Sequence, residues 1–316
     1  MLLRTLSHAL AWLGRQGTRA VAASLFLGLA LPPLAGFFKP VIGETIFAML
    51  VIAFVRVDLL RVRAHLRRPA LLLACLVWMM AGVPLLVGIG LRVFGVAQHA
   101  PGLDLALALG SVGPPIMSAP AFAYLLGLEG ALSLTLLVLS MAVTPVTAPL
   151  LAGLIAPGDL PLSGFSLGLR LFTLLAGSLA LAAVLRRLLG PRRTEAAAQI
   201  FDGLNVVLLF VFAVALMDGV AAHVLAAPAL TLGLTALAFA AALGSTALTA
   251  LLFRRMGFAE ALSLGLAVGH RNLGLMIAAT GGALPDLAWL YFAVAQFPIY
   301  LSPQLVRPLA QRILRR

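Results

Sequence analysis

Residues 262–277 read LSLGLAVGHRNLGLMI, an apolar run that could lie inside a bilayer yet carries a His and an Arg side by side at 270 and 271. A charged side chain at the bilayer centre costs about 2.5 to 3.5 kcal/mol even on the lenient insertion scale. It persists there only beside a water-filled cavity, a partner or a broken helix. His270 and Arg271 therefore mark a candidate functional site.

The surroundings make the membrane setting plain. Of 316 residues, 62% are hydrophobic and 10% charged, with a mean hydropathy of +1.11, which excludes an ordinary soluble domain. Charge-free runs cover 20–38, 70–91, 105–128, 130–158, 224–253 and 287–306, each able to supply the ~20 helical residues that a hydrocarbon core requires. They lack the strict alternation of barrel strands, so the expected class is an all-α membrane protein. The sole cysteine, Cys75, lies in an apolar run, which excludes a disulfide framework and a cysteine metal site.

Ten spans are predicted, at 20–37, 42–59, 69–93, 103–126, 129–156, 162–186, 200–220, 226–253, 258–283 and 286–308. Before them, Leu3, Leu6, Leu10 and Leu13 recur at helical spacing with Arg4, Arg15 and Arg19. Residues 1–19 therefore read as an amphipathic helix on the cytoplasmic membrane surface. The formal charge of +12 is a topology signal: 18 of the 22 Lys and Arg residues fall in alternate loops and at the termini, on one side. The opposite side holds only Lys39 and Arg92. By the positive-inside rule both termini are cytoplasmic, and no nucleic-acid partner is implied. One lysine against 21 arginines, with abundant Ala, Leu and Gly, follows GC-rich codons and suggests a bacterial inner membrane.

Ten spans divide into five plus five, and an odd-numbered repeat inserts its copies in opposite orientations. Residues 20–156 and 157–316 are thus expected to be inverted repeats that meet near the midplane. With one residue inserted, Gly110 and Gly113 of the fourth span align with Gly265 and Gly269 of the ninth. In the fourth span, Gly113-Pro114-Pro115 lacks two backbone donors, and each Pro disfavours helix at the residue before it, so that helix must break. The fourth and ninth spans thus both carry disruptive residues at corresponding depth. Broken helices expose carbonyls that attract cations and N–H groups that attract anions. Met117 and Ser118 are expected to open one second half, and Asn272, Leu273 and Gly274 the other. The expected substrate-binding residues are Gly113, Pro114, Pro115, Met117, Ser118, Gly269, His270, Arg271 and Asn272, with Gln296 in the tenth span. Arg170 would flank the anion path or snorkel to the outer surface. Arg56 and Asp58 are expected to form an interfacial pair.

Pro114 with Tyr124-Leu125, Gly130-Ala-Leu-Ser133, Thr144-Pro-Val-Thr-Ala-Pro-Leu-Leu151, Val83-Pro84-Leu-Leu86, and Gly269 with Asn272 occur in an order and spacing that resemble the bile acid:sodium symporter superfamily. The resemblance covers nearly the whole chain. It implies ten helices in inverted five-helix repeats, a panel domain, and a core domain in which broken helices four and nine cross. Departures fall at the family's sodium motifs. Ala119-Pro120 stands at the Ser-Asn pair, Ala267 at the Glu, Arg271 at the Gln of the ninth span and Met79 near the Gln of the third, while Ser133 and Asn272 survive as residual sodium ligands. A site that has lost its carboxylate and gained a guanidinium is poorly suited to a hard cation.

The expected function is secondary active transport of a small organic anion, a carboxylate or a bile-acid-like compound, by alternating access. In this reading Arg271, which cannot deprotonate, stands in for a sodium ion, and His270, which titrates near neutrality, links transport to protons. An alternative is sodium coupling through relocated ligands, and one of another class is a passive anion channel. A structural alternative has Arg271 satisfied by carbonyls of the fourth span and His270 packed in the core. No cofactor is expected, and the spans hold no HExxH, GxSxG or close carboxylate pair that would make this an enzyme.

Overall fold

The computed structural model describes residues 25–58, 62, 65–158 and 160–314, so the amphipathic stretch expected over 1–19 lies outside the described residues. The described chain is helical, and its one extended pairing is an isolated bridge between Pro115 and Arg271. After a helical stretch at 25–30 come α1 (Pro32–Phe38), α2 (Ile42–Arg56), α3 (Pro69–Val77), α4 (Val83–Val93), α5 (Pro101–Val112), α6 (Ala119–Leu125) and α7 (Gly130–Ile155). Then follow α8 (Gly164–Ala196), α9 (Ala198–Leu216), α10 (Pro228–Leu252), α11 (Phe258–Gly269), α12 (Leu273–Thr280), α13 (Asp286–Val294) and α14 (Gln296–Leu314). Proline opens α1, α3, α5 and α10, where its missing N–H would have no helical partner in any case.

Among the described residues six helical segments are long and apolar enough to cross a membrane: Pro32–Arg56, Pro69–Val93, Gly130–Ile155, Gly164–Ala196, Ala198–Ala226 and Pro228–Leu252. The chain is an all-α membrane protein. The expected spans at 103–126 and 258–283 are each split into two short helices, and 286–308 divides at Ala295. The sixth runs on past its expected end at 186 and reaches Ala196, with a kink at Gly190, whose φ of 71° and ψ of 164° leave the helical region. Pro191 follows and cannot resume the preceding hydrogen-bond ladder.

The chain forms two compact units that do not coincide with the sequence halves 20–156 and 157–316. One joins the described residues up to Val57 to Thr173–Thr231, and the other joins Asp58–Phe172 to Leu232–Arg316. Each unit draws on both halves.

In the first unit α9 packs against α1 and α2. Val51, Val55 and Ala182 are buried there among Phe47, Phe54, Leu185 and Phe201. Ion pairs tie the ends: Lys39 Nζ to Asp218 at 2.9 Å and Arg56 Nε to Asp202 at 3.3 Å. The second pair corrects the expected Arg56–Asp58 pairing: Asp202 is carried in by α9, a long-range contact that chain proximity does not reveal.

In the second unit α7 packs against α5, α6 and α11, and α13 lies along α5. Pro145 and Pro149 interrupt the ladder of α7, and because Pro149 has no N–H the Pro145 carbonyl is left without its helical donor. Gly168 sits directly on that carbonyl, where a side chain would collide. Arg68 Nη1 meets Glu260 in the first turn of α11 at 3.0 Å.

Candidate functional site

All the structure that follows belongs to the second unit. Helix α5 ends at Val112 because Gly113 turns extended (φ −64°, ψ 152°) and Pro114-Pro115 cannot donate to α5. Met117 and Ser118 belong to the turn and do not open the second half: α6 begins at Ala119, with Ser118 in the cap position but making no cap hydrogen bond. Pro120 lies in the first turn of α6, the helical position that proline fits.

Helix α11 ends at Gly269, and His270 departs from helix with φ −116° and ψ 88°. Asn272 then caps α12, its Oδ1 accepting from the Leu275 N–H at 3.0 Å. The two interruptions pair antiparallel: the Ile116 N–H donates to the His270 carbonyl and the Asn272 N–H to the Pro114 carbonyl, both at 2.8 Å. The backbone freed by two broken helices is thereby partly satisfied within protein, as depth in a membrane demands.

Arg271 is buried and bonded by three carbonyls. Its Nε donates to Val268 O at 2.8 Å, Nη1 to Gly113 O at 3.0 Å and Nη2 to Met79 O at 2.8 Å. The Met79 carbonyl comes from a five-residue π turn, Trp78–Gly82, that joins α3 to α4. A π turn sits where the regular ladder is broken, and Pro84, which brings no N–H, follows at once. The Trp78 indole packs over Gly82 and donates to Thr249 Oγ1 of α10 at 3.0 Å, tying the π turn to α10. Three of the five guanidinium N–H groups are engaged, so each Nη retains one. Among the described residues no carboxylate pairs with Arg271, and neutral carbonyls leave its charge uncompensated.

The guanidinium lies on the wall of a half-open cavity of about 330 Å³. Val83 and Val87 of α4, Gly110 and Ser111 of α5, a long stripe of α10 from Ala238 to Thr249, Leu273, and Tyr291 of α13 are among the other residues that line it. The approach of α11 to α10 is close because of two glycines. A Cβ on Gly265 would meet the Thr246 carbonyl, and one on Gly269 the Ala242 carbonyl and the Thr246 hydroxyl. Thr246 in turn donates to Ala242 O at 2.8 Å.

Of the residues chosen from sequence, Gly269 and Arg271 line this cavity; Gly113, Pro114, Pro115, Met117, Ser118, His270, Asn272 and Gln296 do not. His270 is fully buried, its Nδ1 bonded to Leu266 O at 2.8 Å, while Nε2 has the Pro298 carbonyl nearby but no hydrogen bond of good geometry. Gln296 is buried and donates to Phe292 O at 3.1 Å. Ser118 Oγ, Ser133 Oγ and Asn272 Nδ2 are buried and have no hydrogen-bond partner among the described residues. Arg170 is exposed and its guanidinium lies against Gly281, the C-cap of α12, a favourable place for a cation at a helix end. Sequence reading missed the Met79 carbonyl, Tyr291 and the α10 stripe. Pro84 within a span signals the first, whereas nothing in an apolar pattern marks the others.

Compared with known proteins, the chain matches no protein-family model and no characterised protein.

Proposed function

We propose that this chain is a secondary transporter of a small organic anion, built on the plan of the bile acid:sodium symporter superfamily and working by alternating access. The observation that carries the reading is Arg271, a buried guanidinium on a cavity wall with two N–H groups to spare and no carboxylate partner among the described residues. An uncompensated buried charge is costly unless something neutralises it, and an anionic ligand supplies the missing charge. The paired interruptions support a transporter, since broken helices at a shared depth are the usual setting of a carrier's binding site. Two units that each draw on both sequence halves support a division into core and panel.

Arg271 stands in for sodium in this reading. Its three carbonyl contacts are oxygens of the kind a cation would attract, while Ala267 and Met79, at two family sodium positions, lie in an apolar cluster with Leu132, Leu136 and Leu264. The unpartnered Ser133 Oγ favours a second reading, a relocated sodium site, although Asn272 Oδ1 is already engaged as a helix cap. His270, with Nε2 unbonded, is the residue for proton linkage. Orientation with both termini in the cytoplasm rests on the concentration of Lys and Arg in alternate loops and at the termini.

The test is uptake of small carboxylates into proteoliposomes with sodium and pH gradients imposed separately. Accumulation driven by one gradient, and loss of both uptake and binding in Arg271→Ala while that variant stays monodisperse in detergent, is the expected result. Arg271→Lys keeps the charge without the three-carbonyl geometry and should retain weakened binding. Equilibration without accumulation would make the protein a channel, and wild-type binding in Arg271→Ala would remove the fixed cation from the mechanism.

A further inference from the structure

We infer that the cavity selects compact monovalent anions with an apolar body and rejects dicarboxylates of the same length. This rests on the anion site proposed above and narrows its substrate class.

Charge comes first. Among the described residues Arg271 is the one charged residue on the wall, so a single carboxylate neutralises the site and a second finds no cation. Hydrogen-bond polarity makes the same distinction. Ser111 Oγ donates to Ala108 O and Ser245 Oγ to Ala241 O, so each hydroxyl has committed its one proton to its own helix and offers the cavity only lone pairs. Those lone pairs repel a carboxylate. The donors left for a ligand are the two Arg271 N–H groups and the Tyr291 hydroxyl, which has no hydrogen bond to the described residues. One anionic head can be served. A second carboxylate inside the cavity would be desolvated against Ala, Val and Leu side chains, at a cost that nothing on the wall offsets.

Size follows from the walls. About 330 Å³ lies at the small end of the range for ligand pockets, and the alanines of α10 with Val83 and Val87 give a smooth apolar surface for a short hydrocarbon body. Gly244 sets one limit of this space: it lines the cavity, and a Cβ built on it meets nothing within 4 Å. A longer side chain at that position grows into the cavity without displacing the packing of α10, and glycine is itself a poor helix former, so the fold is spared.

The experiment is calorimetric titration of the purified full-length chain in detergent with hexanoate and with adipate, which share a six-carbon skeleton, at matched ionic strength. Hexanoate is expected to bind at least about tenfold more tightly than adipate, because adipate must strip water from an unpaired carboxylate. In Gly244→Leu hexanoate binding should be lost while the unfolding midpoint is unchanged or raised. Adipate binding as tightly as hexanoate, or undiminished hexanoate binding in folded Gly244→Leu, overturns the selectivity and leaves the anion site standing. If neither acid binds the wild-type chain, the selectivity and the anion site fall together.

Discussion

The two interruptions occupy matching places in their helix pairs and are made by opposite means. Between α5 and α6 the chain itself forbids helix: Gly113 turns extended and two prolines follow, so the break would form whatever lay nearby. Between α11 and α12 no proline intervenes, and every residue of His270-Arg271-Asn272 could continue a helix. That break is held open by side chains, with Arg271 reaching three carbonyls, one on α11 itself and two in other segments, and Asn272 capping the helix that follows. One interruption is written into local backbone chemistry and the other into tertiary contacts. The second break is therefore the one whose shape a ligand on Arg271 can influence.

The aligned glycines provide the sharpest test. Gly269→Ala should be severe, since its Cβ would collide with backbone of α10, and overpacking of this kind costs about 1–3 kcal/mol. Gly113→Ala should cost nothing and stabilise by up to about 1 kcal/mol, because its φ of −64° suits any residue and its Cβ would find its nearest neighbour at an ordinary 3.5 Å. Thermal unfolding in detergent measures both, and equal losses would erase the distinction between a loosely and a tightly seated break. A smaller effect separates the caps. Asn272→Ala should lose about 1 kcal/mol with its bond to the Leu275 N–H, whereas Ser118→Ala, at the corresponding cap without a bond, should leave stability unchanged. A loss at Ser118 equal to that at Asn272 would mean that its buried hydroxyl has a partner, such as water.

How far the sequence could be read follows the same division. The break at Pro114-Pro115 and the anomaly of His270-Arg271 were legible because both are local statements: missing donors in one case, charge in an apolar run in the other. What Arg271 touches was legible in part: a carbonyl of the fourth span, here Gly113 O, is among the expected partners, whereas the Met79 carbonyl is brought in by a separate segment and a backbone carbonyl has no residue type to search for. The cavity escaped notice for a related reason. Its α10 wall is Ala, Gly, Ser and Leu, a composition that serves equally for close helix packing. Helix α6 starts two residues later than expected, because Met117 and Ser118 form a turn and Pro120 fits the first turn of the helix that follows.

The antiparallel bridge is very small, two amide hydrogens with one from each interruption, and it cannot lengthen in register because Pro114 and Pro115 offer no hydrogens of their own. Ile116 and Asn272 thus share one fate: separation of the two segments frees both amides at once, and while they remain paired both are shielded. Solvent exchange at these two positions is a built-in clock for the opening of the crossing, readable without any ligand. Matching exchange rates would report the pair parting as a unit, and a ligand that bridges the site would slow both together.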